Sequence, residues 1–156
     1  MSNIGSYEEK YRNFDWKEVE KELAYAPGNA LNIGWYCSDR ICQMGKAGKT
    51  ALIWEGTGAE DKKYTYNDVR LTTNTIAAHL KSLGVQPGDR VCLFMDRIPE
   101  LYLGFVGILK MGAVAQPLFS AFGEESLFVR LEDAQATAIL TQRKHVGKVR
   151  RILDQM

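Results

Sequence analysis

The chain has 156 residues, 46% of them hydrophobic and 25% charged, and its 20 Lys and Arg nearly balance 19 Asp and Glu for a formal net charge of +1. That profile excludes a disordered polyelectrolyte and a collagen-like repeat, and it supplies no general drive toward nucleic acid or anionic lipid. Any anion site must come from a local cluster, on a chain long enough to bury one core without staples.

The first 45 residues read as two short helices in a polar setting. Trp16, Val19 and Leu23 fall on one stripe of a helix over Asp15 to Leu23, with Pro27 and Gly28 as its stop. Asn29 is the expected N-cap of a second helix in which Leu31, Trp35, Ser38 and Cys42 share a side. The β-rich run TALIWEG, the turn residues TGAEDKK and the resumed YTY then predict a hairpin. Thr65 and Asp68 form a capping box ahead of Val69, Thr73, Ile76, Leu80 and Leu83, a helical spacing closed by Gly84.

Beyond it the pattern alternates. After the QPGD turn come a strand at 91–95, a helix from Pro99 to Met111, a strand at 113–119, a helix in EESLFVRLEDA, a strand at 137–141 and a helix from Lys144 to Met156. This βαβαβα order predicts an α/β fold with a parallel sheet. The apolar stretch from Leu101 to Phe119 is no membrane span, because Lys110, Gly112 and Pro117 interrupt it. The helix from Pro99 is apolar on nearly every face and carries Gly104 and Gly107, so it is expected between layers with backbone close to backbone. Three parallel strands leave a sheet edge unpaired, the pattern of a piece of a larger sheet.

Parallel strands place a ligand outside their carboxyl ends. Those ends are Asp96 and Arg97, Phe119 to Glu124, and Thr141 to Lys144. The third opens the segment RKHVGKVRR, where Arg143, Lys144, Lys148, Arg150 and Arg151 concentrate positive charge while the rest of the chain is net acidic. Two readings stay open: an anion site where strand meets helix, or a solvated face opposite a buried stripe of Val146, Val149, Leu153 and Met156. No aromatic platform interleaves with these charges, so nucleic acid is not expected. GKAGKT mimics a phosphate loop but has Gln43 where that motif needs Gly, and it opens a strand rather than a helix. His79 and His145 read as surface residues, and no catalytic pair or metal set is legible. Cys37, Cys42 and Cys92 read as buried thiols of a reducing, cytoplasmic protein, and the acidic amino terminus is no secretory signal.

As strings, YEEKYRNFDW, ALNIGWYCSDR, TALIWEG, KYTYNDV, GVQPGDRVCLFM, PELYLGFVGILKMGAVAQPLF and AFGEESLFVRLEDAQATAILT follow one another as in the amino-terminal part of AMP-forming acetyl-CoA synthetases. The chain is similar to these members of the adenylate-forming superfamily from Ser6 to Thr141. The resemblance implies an amino-terminal extension over 1–48 and the start of the AMP-binding domain over 49–156. It implies a parent acetate–CoA ligase using ATP, Mg and coenzyme A. The partners implied are acetate or another short-chain acid, coenzyme A and the rest of the parent chain, with no nucleic acid and no membrane. The family's phosphate loop, adenylate motif, hinge and carboxyl-terminal lysine have no counterpart in this sequence, so the 156-residue chain is expected to be inactive alone and to hold no cofactor tightly. What carries over is coenzyme A recognition: Ser120 and Ala121, where many relatives have two glycines, and Arg143 and Lys144. The alternatives are a piece of a medium-chain or aryl acyl-CoA ligase, or a non-catalytic nucleotide- or protein-binding domain.

Overall fold

The computed structural model describes residues 5–25, 30–58 and 61–155, in two units, Met1–Leu31 and Asn32–Met156. The first unit holds α1 (Tyr7–Arg12), capped by the Ser6 hydroxyl, and α2 (Trp16–Leu23), capped by Asp15. Trp16, Val19 and Leu23 line one apolar groove of this unit, as their spacing predicts. The helix ends at Ala24 in the left-handed region (φ 51°), ahead of the expected stop; Pro27, Gly28 and Asn29 lie outside the described residues.

The second unit opens with α3 (Ile33–Tyr36), α4 (Asp39–Ile41) and a π-helical turn at Cys42–Lys46. Two helices in the first 45 residues is therefore a correction: the chain makes several short helical pieces, with α3 capped by Asn32. Its side-chain oxygen takes the Trp35 N–H (2.9 Å), and its amide donates to the Lys110 carbonyl (2.8 Å). Because the chain breaks between α3 and α4, the expected stripe is not continuous: Ser38 is buried while Leu31 is exposed.

Strands β1 (Thr50–Trp54) and β2 (Lys62–Thr65) pair antiparallel as the expected hairpin; the turn residues Ala59 and Glu60 lie outside the described residues. The GKAGKT segment is a turn leading into β1. Helix α5 (Tyr66–Ser82) has both capping-box bonds, Asp68 N–H to the Thr65 hydroxyl (3.1 Å) and Thr65 N–H to the Asp68 carboxylate (2.8 Å). Val69, Thr73 and Leu80 face inward, but Leu83 is two-thirds exposed because the helix has ended before it.

The sheet comprises β3 (Arg90–Phe94), β4 (Val114–Leu118) and β5 (Ala138–Thr141), all parallel, in the order β4-β3-β5. Between them run α6 (Pro99–Lys110), α7 (Glu124–Asp133) and, after β5, a 3-10 turn (Arg143–His145) and α8 (Val146–Leu153). The central strand β3 is buried on both sides, which its unbroken apolar run requires. Val91, Leu93 and Met95 join Leu80 and Ile108 in one core, while Cys92 and Phe94 join Leu127, Leu131, Val149 and Ile152 in the other. Helices α5 and α6 thus cover one face and α7 and α8 the opposite one.

Four further expectations are revised. On α6, Tyr102 and Phe105 are exposed, so one side of it is open. A Cβ at Gly107 would meet the Ile76 side chain (2.8 Å) and the Thr73 backbone oxygen of α5 (3.3 Å), whereas one at Gly104 would meet only side chains, Leu93 first (3.0 Å); the closest backbone approach is at Gly34, against the Lys110 nitrogen (2.6 Å). On α8 the inward residues are Val149 and Ile152, which pack with Phe94, Leu127 and Leu131, whereas Leu153 is half exposed; Met156 lies outside the described residues. Of the thiols only Cys92 is buried; Cys37 is exposed. The stretch from Leu101 to Phe119 is divided between α6 and β4, and no described helix is long and apolar enough to cross a membrane.

Candidate functional site

From the central strand the chain turns to α6 on one face, whereas from β4 and β5 it turns to α7 and α8 on the other. Connections that part to opposite faces leave a crevice at the carboxyl ends of the strands, the place where open α/β sheets take ligands. A groove of about 610 Å³ occupies it, lined by Met95, Asp96 and Arg97 after β3, Leu101 of α6, and Pro117 to Ser120 at the end of β4.

Asp96 stands at the centre. Its backbone N–H donates to the Gln142 side-chain oxygen (2.8 Å), which ties the loop after β3 to the loop after β5. Its carboxylate takes the Lys144 ammonium on one oxygen and the His145 Nε2 on the other (3.1 Å), and Ser120, after β4, lines the same groove. Hydrogen bonds from Lys144 and then His145 hold the Asp96 carboxyl well below the usual carboxylate range. The carboxylate is acceptor-only and a third exposed. His145 meets Asp96 rather than Ser120, so the nucleophile-to-base bond of acyl-transfer sites is not formed between these two residues.

His145 corrects the sequence reading. Its side chain is only 14% exposed, with its ring 5.1 Å from that of Phe94 and its nitrogen on Asp96. His79 is exposed, as expected. The basic segment is also less free than its composition implies. Lys148 donates to the Phe122 carbonyl (2.6 Å), and Arg151 bonds Glu124 through two nitrogens (2.9 and 2.7 Å). The Glu124 carboxyl is held low chiefly by that Arg151 contact. Arg130 lies over the Phe122 ring (4.3 Å), so the loop after β4 is clamped from α7 and α8 together. The hairpin reaches the same edge: the Trp54 indole N–H donates to the Arg97 carbonyl (2.8 Å).

Of the four residues singled out from the sequence, Lys144 is on Asp96 and Ser120 lines the groove with Asp96. Ala121 and Arg143 are exposed beside them, and Arg143 enters no ion pair among the described residues. Sequence reasoning named Asp96 only as a loop residue and missed its role as the hub; the available signal was its place directly after the most apolar strand. Among the described residues no group of three or more His, Cys, Asp and Glu side chains is placed to hold a metal ion.

Residues 40–156 match the family described as AMP-binding enzyme. The chain is 39% identical over 140 residues to the acetyl-coenzyme A synthetase of Bacillus subtilis, covering 89% of this chain and 24% of that protein. With the acetyl-coenzyme A synthetase of Halorhodospira halophila it shares 32% identity over 132 residues, 84% of this chain and 20% of the relative. Among solved structures it is similar to the Brucella canis acyl-CoA synthetase, with a TM-score of 0.85 and 26% identity over 94% of this chain and 26% of that one. The chain therefore spans about a quarter of the length of the proteins it matches.

Proposed function

The chain belongs to the AMP-binding enzyme family, and from that premise we propose that it is the amino-terminal part of an AMP-forming acetate–coenzyme A ligase. The parent reaction joins acetate to ATP, releasing pyrophosphate, and passes the acetyl group from the adenylate to coenzyme A with release of AMP. In this reading residues 1–48 are an amino-terminal extension and 49–156 open the AMP-binding domain. Acetate is supported by the names of the curated relatives, and the wider acyl-CoA class by that of the solved neighbour. ATP and Mg²⁺ serve the adenylation step; the described residues hold no donor set that fits the metal.

Within that reaction these residues contribute to recognition of coenzyme A. The observation that carries this is the convergence of the loops after β3, β4 and β5 on one groove with Lys144 and Ser120 at its side. Arg143, exposed and outside the ion pairs, is a charge available to a phosphate. The apolar walls from Met95, Leu101 and Leu118 suit a pantetheine arm. The test is calorimetric titration of the purified chain with coenzyme A. Binding that weakens in R143Q and K144Q and weakens with added salt supports the site, and binding unaffected by both substitutions overturns it.

A further inference from the structure

We propose that Asp96 is a built-in competitor for the anion at Lys144, so that a phosphate is bound there by exchange with the Asp96 carboxylate rather than by filling an empty basic pocket. This deepens the coenzyme A reading and rests on it for the natural ligand; the exchange itself concerns any phosphate.

The Lys144 ammonium is already on Asp96, a residue of the groove wall. The Lys144 side chain is 57% exposed and Asp96 33%, so both ends of the pair are within reach of solvent and of an incoming anion. When Lys144 swings away, Asp96 is not stranded: His145 and the Gln142 link stay on it. Two other cations of the basic segment are held elsewhere, Lys148 on the Phe122 carbonyl and Arg151 on Glu124, while Arg97 lines the groove itself. Lys144 is the cation that must leave a carboxylate to meet an anion, and Asp96 both holds it and repels what approaches. A carboxylate in that place weakens anion binding twice, once by occupying the ammonium and once by its own charge. It also keeps the basic segment from taking phosphates indiscriminately, since a ligand must supply further contacts to win the exchange.

The experiment uses the 156-residue chain, with inorganic pyrophosphate and coenzyme A titrated separately into wild type, D96N and D96N/K144Q. Asn keeps the shape of Asp and one acceptor oxygen while removing the charge. We expect D96N to bind pyrophosphate about three- to tenfold more tightly at low ionic strength, from the combined loss of a surface ion pair and a like-charge repulsion. That gain shrinks with salt and vanishes in D96N/K144Q. Unchanged or weaker binding by folded D96N, or a gain that survives K144Q, overturns the proposal. If D96N does not fold, NMR of the wild type decides: the Asp96 carboxyl-carbon and Lys144 amide signals move together with pyrophosphate if the exchange occurs. Signals that stay still overturn it. Tighter pyrophosphate binding in D96N with no coenzyme A binding by any variant leaves the exchange standing and removes the coenzyme A reading. Wild-type coenzyme A binding that D96N does not change does the reverse.

Discussion

Gly34 and Lys110 are in backbone contact: a Cβ on Gly34 would stand 2.6 Å from the Lys110 nitrogen and 2.7 Å from its Cα. The same two segments are tied again by the Asn32 amide on the Lys110 carbonyl (2.8 Å) and by the Lys110 ammonium on Asp39 (2.5 Å), Thr73 and Asn74. Residues 32–41 are therefore part of the packing that holds α6, and α6 follows the loop that carries Asp96. Since backbone on both sides cannot yield as a side-chain tip can, G34A is predicted to destabilise by at least about 2 kcal/mol. G48A, with nothing within 4 Å of its Cβ, is predicted to stay within about 0.5 kcal/mol of wild type. Urea unfolding of the two variants checks both.

The thiols are predicted to separate by reactivity. Burial pushes the Cys92 thiol up to about 12, whereas Cys37 is exposed. A disulfide-exchange reagent at neutral pH labels Cys37 early and Cys92 only on unfolding. Mass spectrometry of a time course reads this directly, and early labelling of Cys92 contradicts the burial of β3.

Among the described residues, four carboxylates lie below their ordinary range. For Asp39, burial opposes ionisation but is outweighed by the Lys110 hydrogen bond; for Asp68, Asp96 and Glu124 the main causes are Thr65, Lys144 and Arg151. A folded pKa below the unfolded one stabilises fully above the unfolded value and is lost as pH falls through the folded value. Stability is thus predicted to be flat from about pH 8 to 5 and to decline below about pH 4. Denaturation midpoints across that range check it, and D39N should shallow the acid limb.

The isolated chain is predicted to show no acetate-dependent exchange of labelled pyrophosphate into ATP. Stabilising an adenylyl transition state takes several positioned donors, and the described residues of this quarter-length segment offer a binding edge without such a set. Exchange above background from the purified chain contradicts this.

What was legible in the sequence was local. The Thr65–Asp68 box, the apolar run of β3 and the glycine after α6 each declare themselves within a few neighbours. The α/β alternation followed from those, and with it the edge where Asp96, Ser120 and Lys144 meet. Features set by distant partners were not legible. Asn32 caps α3 and also holds the Lys110 carbonyl, 78 residues away, a partner no local pattern announces. His145 looked like a surface residue because helical spacing is blind to the Phe94 ring and the Asp96 carboxylate on another strand. The inward face of α8 was only partly legible: Val149 is buried as its spacing suggests, but Ile152 rather than Leu153 completes the buried side, because Ile152 packs with Cys92, Phe94, Leu127 and Leu131.

The coenzyme A assignment is tested most directly by separating the two half-reactions in an acetate–CoA ligase that carries this segment. With R143E and K144Q combined, the Michaelis constant for coenzyme A is predicted to rise on the order of ten- to a hundredfold, the scale of a lost charge-assisted hydrogen bond. Acetate-dependent pyrophosphate exchange and the melting temperature should both hold near wild type. A fall in both half-reactions together with a lowered melting temperature, or no change in either half-reaction, would contradict the account.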